Sequence, residues 1–511
     1  MAWWTGSLPR SLTGLLLIAH GALLTTVVAE PQVVSLPLYR NAHRSLAKRD
    51  TVTAALSNDY SDGMFWVNAT VGTPGQPVQL QIDTGSSDIW MMGEYACIEI
   101  STGCIGGSYD ELSSSTVSIL EHGGFTIGYL DGSGVMGDYI RDDFAIGGVT
   151  VKGMTLAVAT QVKDIGTGVM GIGFESDESI AAQGGQPYRN LVSHMVGQGL
   201  IKSRSYSLWL NDINAQTGNI LFGGYDTAKF HGDLVAMKVQ PDAQSGQITS
   251  MTVAWTSLAV NDPTHGTKVL TPKSFALPAV LDSGTTLTYV PQDLYDELAS
   301  FANVVTDSSS GFDFVDCDAV NQYNGTLDFG FAGPNGPVIS VLFSEMAIPV
   351  KDANGKQQKL ENGSPACHFG LSPAPENEIL LGDTFLRSAY VVYDLERKEI
   401  AIAKTNFNSD RSNIVEIAPK NSTATPTWKF VDSVTVVQTM TVVPGQPGQL
   451  GSLALASTHS YTQTDIGFHI PTATGKHNAA GSVRMVDSGI LSSVVLGVFS
   501  ALAGAGFLFV R

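Results

Sequence analysis

Val78-Gln-Leu-Gln-Ile-Asp83-Thr84-Gly85-Ser86-Ser87 and, in the second half of the chain, Ala279-Val-Leu-Asp282-Ser283-Gly284-Thr285-Thr286 carry one pattern twice: an apolar strand running into Asp-(Thr/Ser)-Gly-(Ser/Thr)-(Ser/Thr). In the first copy Val78, Leu80 and Ile82 alternate with Gln79, Gln81 and Asp83, the period of a strand with one buried face. Asp83 is therefore expected on the polar side at the strand's end, entering a glycine turn. Behind each turn a second apolar run ends in glycine, Val169-Met170-Gly171-Ile172-Gly173 in one half and Ile379-Leu380-Leu381-Gly382-Asp383 in the other. Recurrence at similar offsets marks an internal duplication of the stretch from Asp50 to Asn408.

A duplicated strand-Asp-turn implies chemistry, because a pseudo-two-fold pairing of the halves would bring two carboxyls together. Carboxylates about 3 Å apart cannot both ionise, so such a pair holds one proton and offers an acid and a base in one site. The charged member can deprotonate a water while the neutral one donates to a peptide carbonyl. Gly85 and Gly284 permit close backbone approach, and the hydroxyls of Ser86 and Thr285 are placed to orient the carboxyls.

The 511 residues exceed one ordinary core, so two lobes are expected, residues 50–240 and 241–408. With 54 glycines, 22 prolines and only 15% charged residues, the composition favours short strands and turns, and the fold class is all-β. A net charge of -19 has the wrong sign for a phosphate-binding surface and excludes nucleic acid as the expected partner. It also suits an acidic medium, where partial protonation relieves self-repulsion. No HExxH, P-loop or GxSxG pattern is present and the histidines are scattered, so neither a metal nor another cofactor is expected. The four cysteines form a close pair, Cys97 and Cys104, and a wider pair, Cys317 and Cys367. Three connectivities are possible, pairing within each half being the simplest in a secreted chain.

Both ends read as processed. Arg10, an apolar run from about Leu12 to Val28 and Val27-Val28-Ala29 form a secretory signal over residues 1–29. Residues 30–49 are basic after Glu30 and close on Lys48-Arg49, as a short propeptide removed by another protease or by self-cleavage would. Residues 409–478, rich in Thr, Ser, Pro and Gln, read as a glycosylated stalk. The small residues Asn478-Ala-Ala-Gly481, a polar spacer and the apolar run Ile490 to Val510 read as a GPI-attachment signal over residues 479–511, with Asn478 or Gly481 as anchor site. The same run is long enough for a single transmembrane helix, the alternative tether. Asn68, Asn324 and Asn421 head acceptor sequons for glycosylation.

From about Gly63 to Lys404 the body resembles the pepsin-like aspartic proteases, and the whole layout is similar to the fungal yapsin and candidapepsin-like members carrying a membrane or wall anchor. The resemblance rests on Asp83-Thr-Gly-Ser-Ser-Asp-Ile-Trp90, on Asp282-Ser-Gly-Thr-Thr, and on Ile379-Leu-Leu-Gly-Asp-Thr-Phe-Leu followed by Tyr390-Val-Val-Tyr-Asp394. It implies a bilobal fold with a central cleft, catalysis by Asp83 and Asp282, polypeptide substrates and a monomer. Phe125-Thr-Ile-Gly-Tyr129-Leu-Asp131-Gly132-Ser133 is similar to the family's flap, whose tyrosine, here Tyr129, bonds to the tryptophan matching Trp90. Hydroxyls matching Thr84 and Ser283 would interlock the lobes, and both cysteine pairs sit where the family has its disulfides. The yapsin likeness further implies an acidic rim of Asp131, Glu175, Asp177 and Glu178 reading Lys or Arg; the bland alternative is that these acids are solvated. Three departures stand out: Leu130 where many members have glycine, Asp-Ser-Gly in the second motif, and a short basic propeptide with Arg40, Arg44, Lys48 and Arg49. The rival reading is a catalytically dead binding protein of the same fold.

Overall fold

The computed structural model describes residues 31–40, 64–99, 104–130, 132–242, 245–308, 310–352, 355–375, 378–423, 427–436 and 466–472. The signal, Arg44, Lys48-Arg49, Asp131, Asn478 and the apolar run at 490–510 lie outside these residues.

The duplication read in the sequence is present as one plan built twice. The strand Gln76–Asp83 pairs in parallel with Gly168–Gly171, setting Asp83 opposite Gly171, and that strand pairs antiparallel with Ile89–Met92. In the other half Leu277–Leu281 pairs in parallel with Leu380–Leu381, which pairs antiparallel with Thr288–Val290. Each Asp-turn thus emerges between strands running in the same direction, the arrangement that leaves a strand's end open to a ligand. The first plan belongs to a 14-stranded sheet and the second to an eight-stranded sheet.

The alternation in Gln76–Asp83 does not produce one wet face. Gln79, Gln81 and Asp83 are as buried as Val78, Leu80 and Ile82. The polar face is satisfied instead by hydrogen bonds: Gln79 Nε2 donates to Asn68 Oδ1 (2.7 Å), and Gln81 Nε2 reaches the carbonyl of Gly284 in the other half (2.9 Å). A buried amide needs such partners, so these glutamines are internal fasteners rather than surface residues.

The boundary expected at residue 240 does not separate two sheets. Phe230–Lys238 pairs with Glu399–Thr405, which continues through Ala389–Asp394 to Ser205–Trp209, so the 14-stranded sheet carries strands from both halves of the sequence. The segment expected as a propeptide also enters this sheet. Val34–Tyr39 pairs antiparallel with Thr217–Phe222 over six residues and meets Trp66 on its other side, with Val34, Leu36 and Leu38 buried.

The stalk expected from residue 409 begins as part of the body. Ile414–Glu416 pairs with Gly224–Asp226, Lys429–Phe430 with Phe230–Lys238, and Ile417, Val436, Ile466 and Ile470 are buried. Strands of two or three residues leave no periodicity to read, so composition alone misplaced the boundary. Each half holds its own disulfide, Cys97–Cys104 and Cys317–Cys367, the local pairing expected. Asn324 and Asn421 are exposed; Asn68 is exposed too, although its carbonyl is engaged by Gln79. Among the described residues no helix is long and apolar enough to cross a membrane, and no cluster of metal-ligating side chains occurs.

Candidate active site

The two Asp-turns face one another, and their glycines show how closely. A Cβ placed on Gly85 would lie 2.6 Å from Asp282 Oδ1, and one on Gly284 would lie 2.5 Å from Asp83 Oδ1. Any side chain there would strike the opposite carboxyl, so glycine is required by approach rather than by turn conformation. Each carboxyl accepts the same two bonds. Gly85 N donates to Asp83 Oδ1 (2.7 Å) and Ser86 Oγ to Oδ2 (2.5 Å); Gly284 N donates to Asp282 Oδ1 (2.8 Å) and Thr285 Oγ1 to Oδ2 (2.5 Å). The aspartates are 6% and 8% exposed, withdrawn from bulk water yet still reachable.

Thr84 and Ser283 cross between the halves. Thr84 N donates to Ser283 Oγ (3.2 Å) and Thr84 Oγ1 to the Leu281 carbonyl (2.8 Å). In return Ser283 N donates to Thr84 Oγ1 (3.0 Å) and Ser283 Oγ to the Ile82 carbonyl (3.2 Å). Four bonds with no solvent access fix the distance between the carboxyls, since a shift would strand buried donors. Burial and the neighbouring charge of Asp282 hold the Asp83 carboxyl well above the usual carboxylate range. The pair is thereby suited to share a single proton.

A hairpin stands beside this pair. Ser118–Gly128 and Gly134–Ile146 are antiparallel, and the tip is closed by Gly132 N donating to the Tyr129 carbonyl (3.0 Å) and Tyr129 N to the Ser133 carbonyl (2.9 Å). Gly132 has φ +78°, the conformation that the turn demands. Trp90 Nε1 donates to Tyr129 Oη (2.6 Å), joining the hairpin tip to the strand that follows the first Asp-turn.

The sequence did not reveal what lies behind Asp83. Asp88 is fully buried; Tyr188 Oη (2.6 Å) and Tyr139 Oη (3.4 Å) donate to its Oδ1, and Ser179 N to its Oδ2 (2.7 Å). Burial raises its pKa, offset in part by the Tyr188 bond. Beside it Glu178 is fully buried, which corrects its reading as either a solvated acid or part of a rim. Its Oε2 accepts from Tyr188 N (2.7 Å), its Oε1 has no partner among the described residues, and burial pushes its pKa up to about 9. Glu178 is accordingly neutral across the acid range. Asp177 is half-exposed, its carboxyl raised by desolvation and then by the charges of Asp88 and Asp83; Glu175 is half-exposed and accepts a long bond from Asn190 N (3.4 Å). Ser179 Oγ donates to the carbonyl of Thr126, tying this pocket to the hairpin.

A different group lies behind Asp282. Arg387 and Glu345 form a buried ion pair (2.5 Å), Asp383 is buried, and Arg40 Nη1 reaches the carbonyl of Ile213, whose own amide donates to Glu345 Oε1 (3.2 Å). Burial raises the Asp383 carboxyl against the opposing charges of Arg387 and Arg40. The only advance signal for this cluster was the run Gly382-Asp383-Thr-Phe-Leu-Arg387 itself.

The eukaryotic aspartyl protease family model matches residues 64–405. A probable aspartic-type endopeptidase, opsB, of Aspergillus fumigatus is 35% identical over 95% of this chain and 97% of its own length. The secreted aspartic protease 1 of Candida albicans is 32% identical over 76% of this chain and 93% of its own. In three dimensions the aspartic proteinase of Irpex lacteus aligns over 75% of this chain and 100% of its own with a TM-score of 0.55, at 18% identity, and so shares the fold. Facing Asp-turns, crossing hydroxyls and a hairpin bonded to Trp90 agree with these matches: the chain belongs to the eukaryotic aspartyl protease family and is an aspartic-type endopeptidase.

Proposed function

We propose that Asp83 and Asp282 hydrolyse peptide bonds by activating a water held between them, with an optimum in the acid range. The observation that carries this reading is the mutual approach of the two turns, each glycine lying against the opposite carboxyl. The charged member of the pair takes a proton from the water as it attacks the carbonyl carbon. The protonated member donates to the carbonyl oxygen, so a tetrahedral diol forms without a covalent enzyme intermediate. Collapse of the diol returns a proton to the departing amine. Hydrogen bonds from Gly85, Ser86, Gly284 and Thr285 keep both carboxyls fixed through these steps, limiting reorganisation as charge moves. Loss of the shared proton as pH rises removes the acid, which sets the alkaline limb of activity.

Tyr129, with Trp90 behind it, closes over the bound peptide, and Asp131 and Gly132 belong to the same substrate-binding tip. Asp177 and Glu175, both half-exposed, are the remaining candidates for reading a Lys or Arg side chain. We place the enzyme on the secretory route, supported by the signal-like N-terminus, both disulfides and the secreted relative in Candida albicans. A GPI anchor at or near Asn478 would hold it as a monomer at the membrane or wall, with glycans at Asn68, Asn324 and Asn421 and a propeptide ending at Arg49. Release of the protein from intact cells by a phosphatidylinositol-specific phospholipase tests the anchor.

The test of the chemistry is cleavage of a mixed peptide library across pH, with and without pepstatin and beside Asp83→Asn. Pepstatin-blocked cleavage between about pH 3 and 6 that the substitution abolishes is the expected result. Persistent silence from folded wild-type protein would favour a binding protein of the same fold.

A further inference from the structure

We propose that residues 466–470 are a clip: an extended Ile-x-Phe-x-Ile segment of the tail that fills a peptide-recognition site on the C-terminal half, along the helix Gln292–Phe301, and brings the tail back to the body. The chain leaves the body at Val436, which is buried and whose amide donates to Gln240 Oε1 (3.2 Å), and is on it again at Ile466. From there burial alternates. Ile466 and Ile470 are buried and Phe468 is half-buried, while Gly467 and His469 are exposed, the period of an extended segment lying with one face on a surface.

Both ends of the segment are held through the backbone. Ile466 N donates to Glu297 Oε1; at the other end Ile470 N donates to the Phe301 carbonyl (2.9 Å), and Asn303 Nδ2 donates to the Ile470 carbonyl (2.9 Å). Between these points Phe468 enters an aromatic slot, with the His265 ring stacked on it at 4.2 Å and Phe301 meeting it edge-on at 5.6 Å. The body sets the slot by bonds of its own. Asp262 accepts from His265 N (2.6 Å) and from Tyr323 Oη (2.7 Å), and Tyr323 packs edge-on against Phe301. Main-chain bonds at the ends with side chains inserted at alternate positions are the means by which a folded surface reads an extended peptide. The site therefore takes an apolar residue, an aromatic two positions on and a second apolar residue two beyond that. Covalent attachment presents the tail at an effective concentration on the order of millimolar, so the site is filled from within the chain and closed to other peptides of this pattern. Residues 437–465 are accordingly fixed at both ends, and the free tail starts beyond Thr472. Only six residues separate Thr472 from Asn478, so on the anchor reading above the clip would keep the C-terminal half within about 20 Å of the point of attachment.

Amide hydrogen exchange and peptide binding on the full chain decide the matter, with wild type compared with the double variant Phe468→Ala, Ile470→Ala. In wild type the amides of Ile466 and Ile470 should exchange at least about tenfold more slowly than unstructured amides, and the double variant should lose that protection while peptide cleavage stays unchanged. A fluorescent peptide copying residues 464–472 should bind the double variant, whose site is vacated, roughly tenfold or more tightly than wild type, and its copy with alanine in place of Phe468 and Ile470 should bind neither. Unprotected amides in wild type, protection that survives the double substitution, or a peptide that binds both proteins equally or neither overturns the proposal. Failure of the phospholipase to release the protein from cells would sink the anchor reading alone, and exchange and peptide binding would still decide for or against the clip.

Discussion

The two Asp-turns are nearly the same at the carboxyls and quite different one layer behind. Ser86 and Thr285, Gly85 and Gly284, and Thr84 and Ser283 make matching bonds to within a few tenths of an ångström. Five residues past each aspartate, however, the first turn has Asp88, buried among phenols beside Glu178, and the second has Leu287, packed against the apolar cluster of Val280, Tyr289 and Leu380. Behind the first turn sit two acids whose hydrogen bonds come from phenols and backbone amides; behind the second, Arg387 is paired with Glu345. Duplication has preserved the layer that must act symmetrically on a shared proton. The backing has diverged, with phenols around a buried carboxyl on one side and the Arg387–Glu345 ion pair on the other.

The largest test of the shared layer is to neutralise each turn in turn. Asp83→Asn and Asp282→Asn should each lower kcat/KM by roughly a thousandfold or more with the fold retained, since either change removes the one-proton pair. A variant that keeps substantial activity would break the equivalence of the two halves. The divergent layer is tested by stability against pH. Asp83, Asp88, Glu178 and Asp383 all have carboxyls raised by burial, so between about pH 4 and their folded values the folded state binds more protons than the unfolded one. Stability should thus be greatest near pH 4 and fall as pH rises, by at most about 1.4 kcal/mol per pH unit per group, with the Glu178 contribution extending to about 9. Urea midpoints at pH 4, 6 and 8 measure this. Glu178→Gln should flatten the upper part of the curve, and a midpoint rising with pH would refute the assignment.

Smaller effects belong to the crossing bonds and the hairpin. Ser283→Ala leaves Thr84 N and the Ile82 carbonyl without their partner and should destabilise by roughly 1–3 kcal/mol, and Thr84→Val should match it. Unequal losses in denaturant unfolding would show that the grip is less symmetric than its geometry. Trp90→Phe removes one hydrogen bond to Tyr129 while keeping an aromatic ring. About 1 kcal/mol of stability and a rise in KM larger than any change in kcat are expected from unfolding and steady-state assays.

The contrast also explains what could be read in advance. Asp83, Asp282 and their hydroxyls lie within short contiguous motifs, where a repeated turn is visible without any knowledge of packing. The hairpin was expected only from the resemblance of Phe125 to Ser133 to the family's flap. The Asp88 pocket brings Tyr139, Glu178 and Tyr188 to Asp88 from positions far along the chain, and no periodicity links a buried carboxyl to its distant phenol. Glu178 was misread because a glutamate in a polar run is ordinarily solvated, and only the fold reveals that this one is enclosed. The glutamines of Gln76–Asp83 were misread in the same sense: alternation signals two faces but not what covers the second. At the C-terminal side, a Thr- and Ser-rich composition concealed strands too short to carry a pattern.

The strand Val34–Tyr39 lies upstream of Lys48-Arg49, so a cut at that pair would sever a covalent link without releasing what it links. The freed peptide would still be seated between Thr217–Phe222 and Trp66, with Arg40 lodged beside the Ile213 carbonyl. Cleavage would turn a tethered segment, present at high effective concentration, into a bound ligand with a residence time of its own. The clock of maturation would then be set by dissociation rather than by proteolysis.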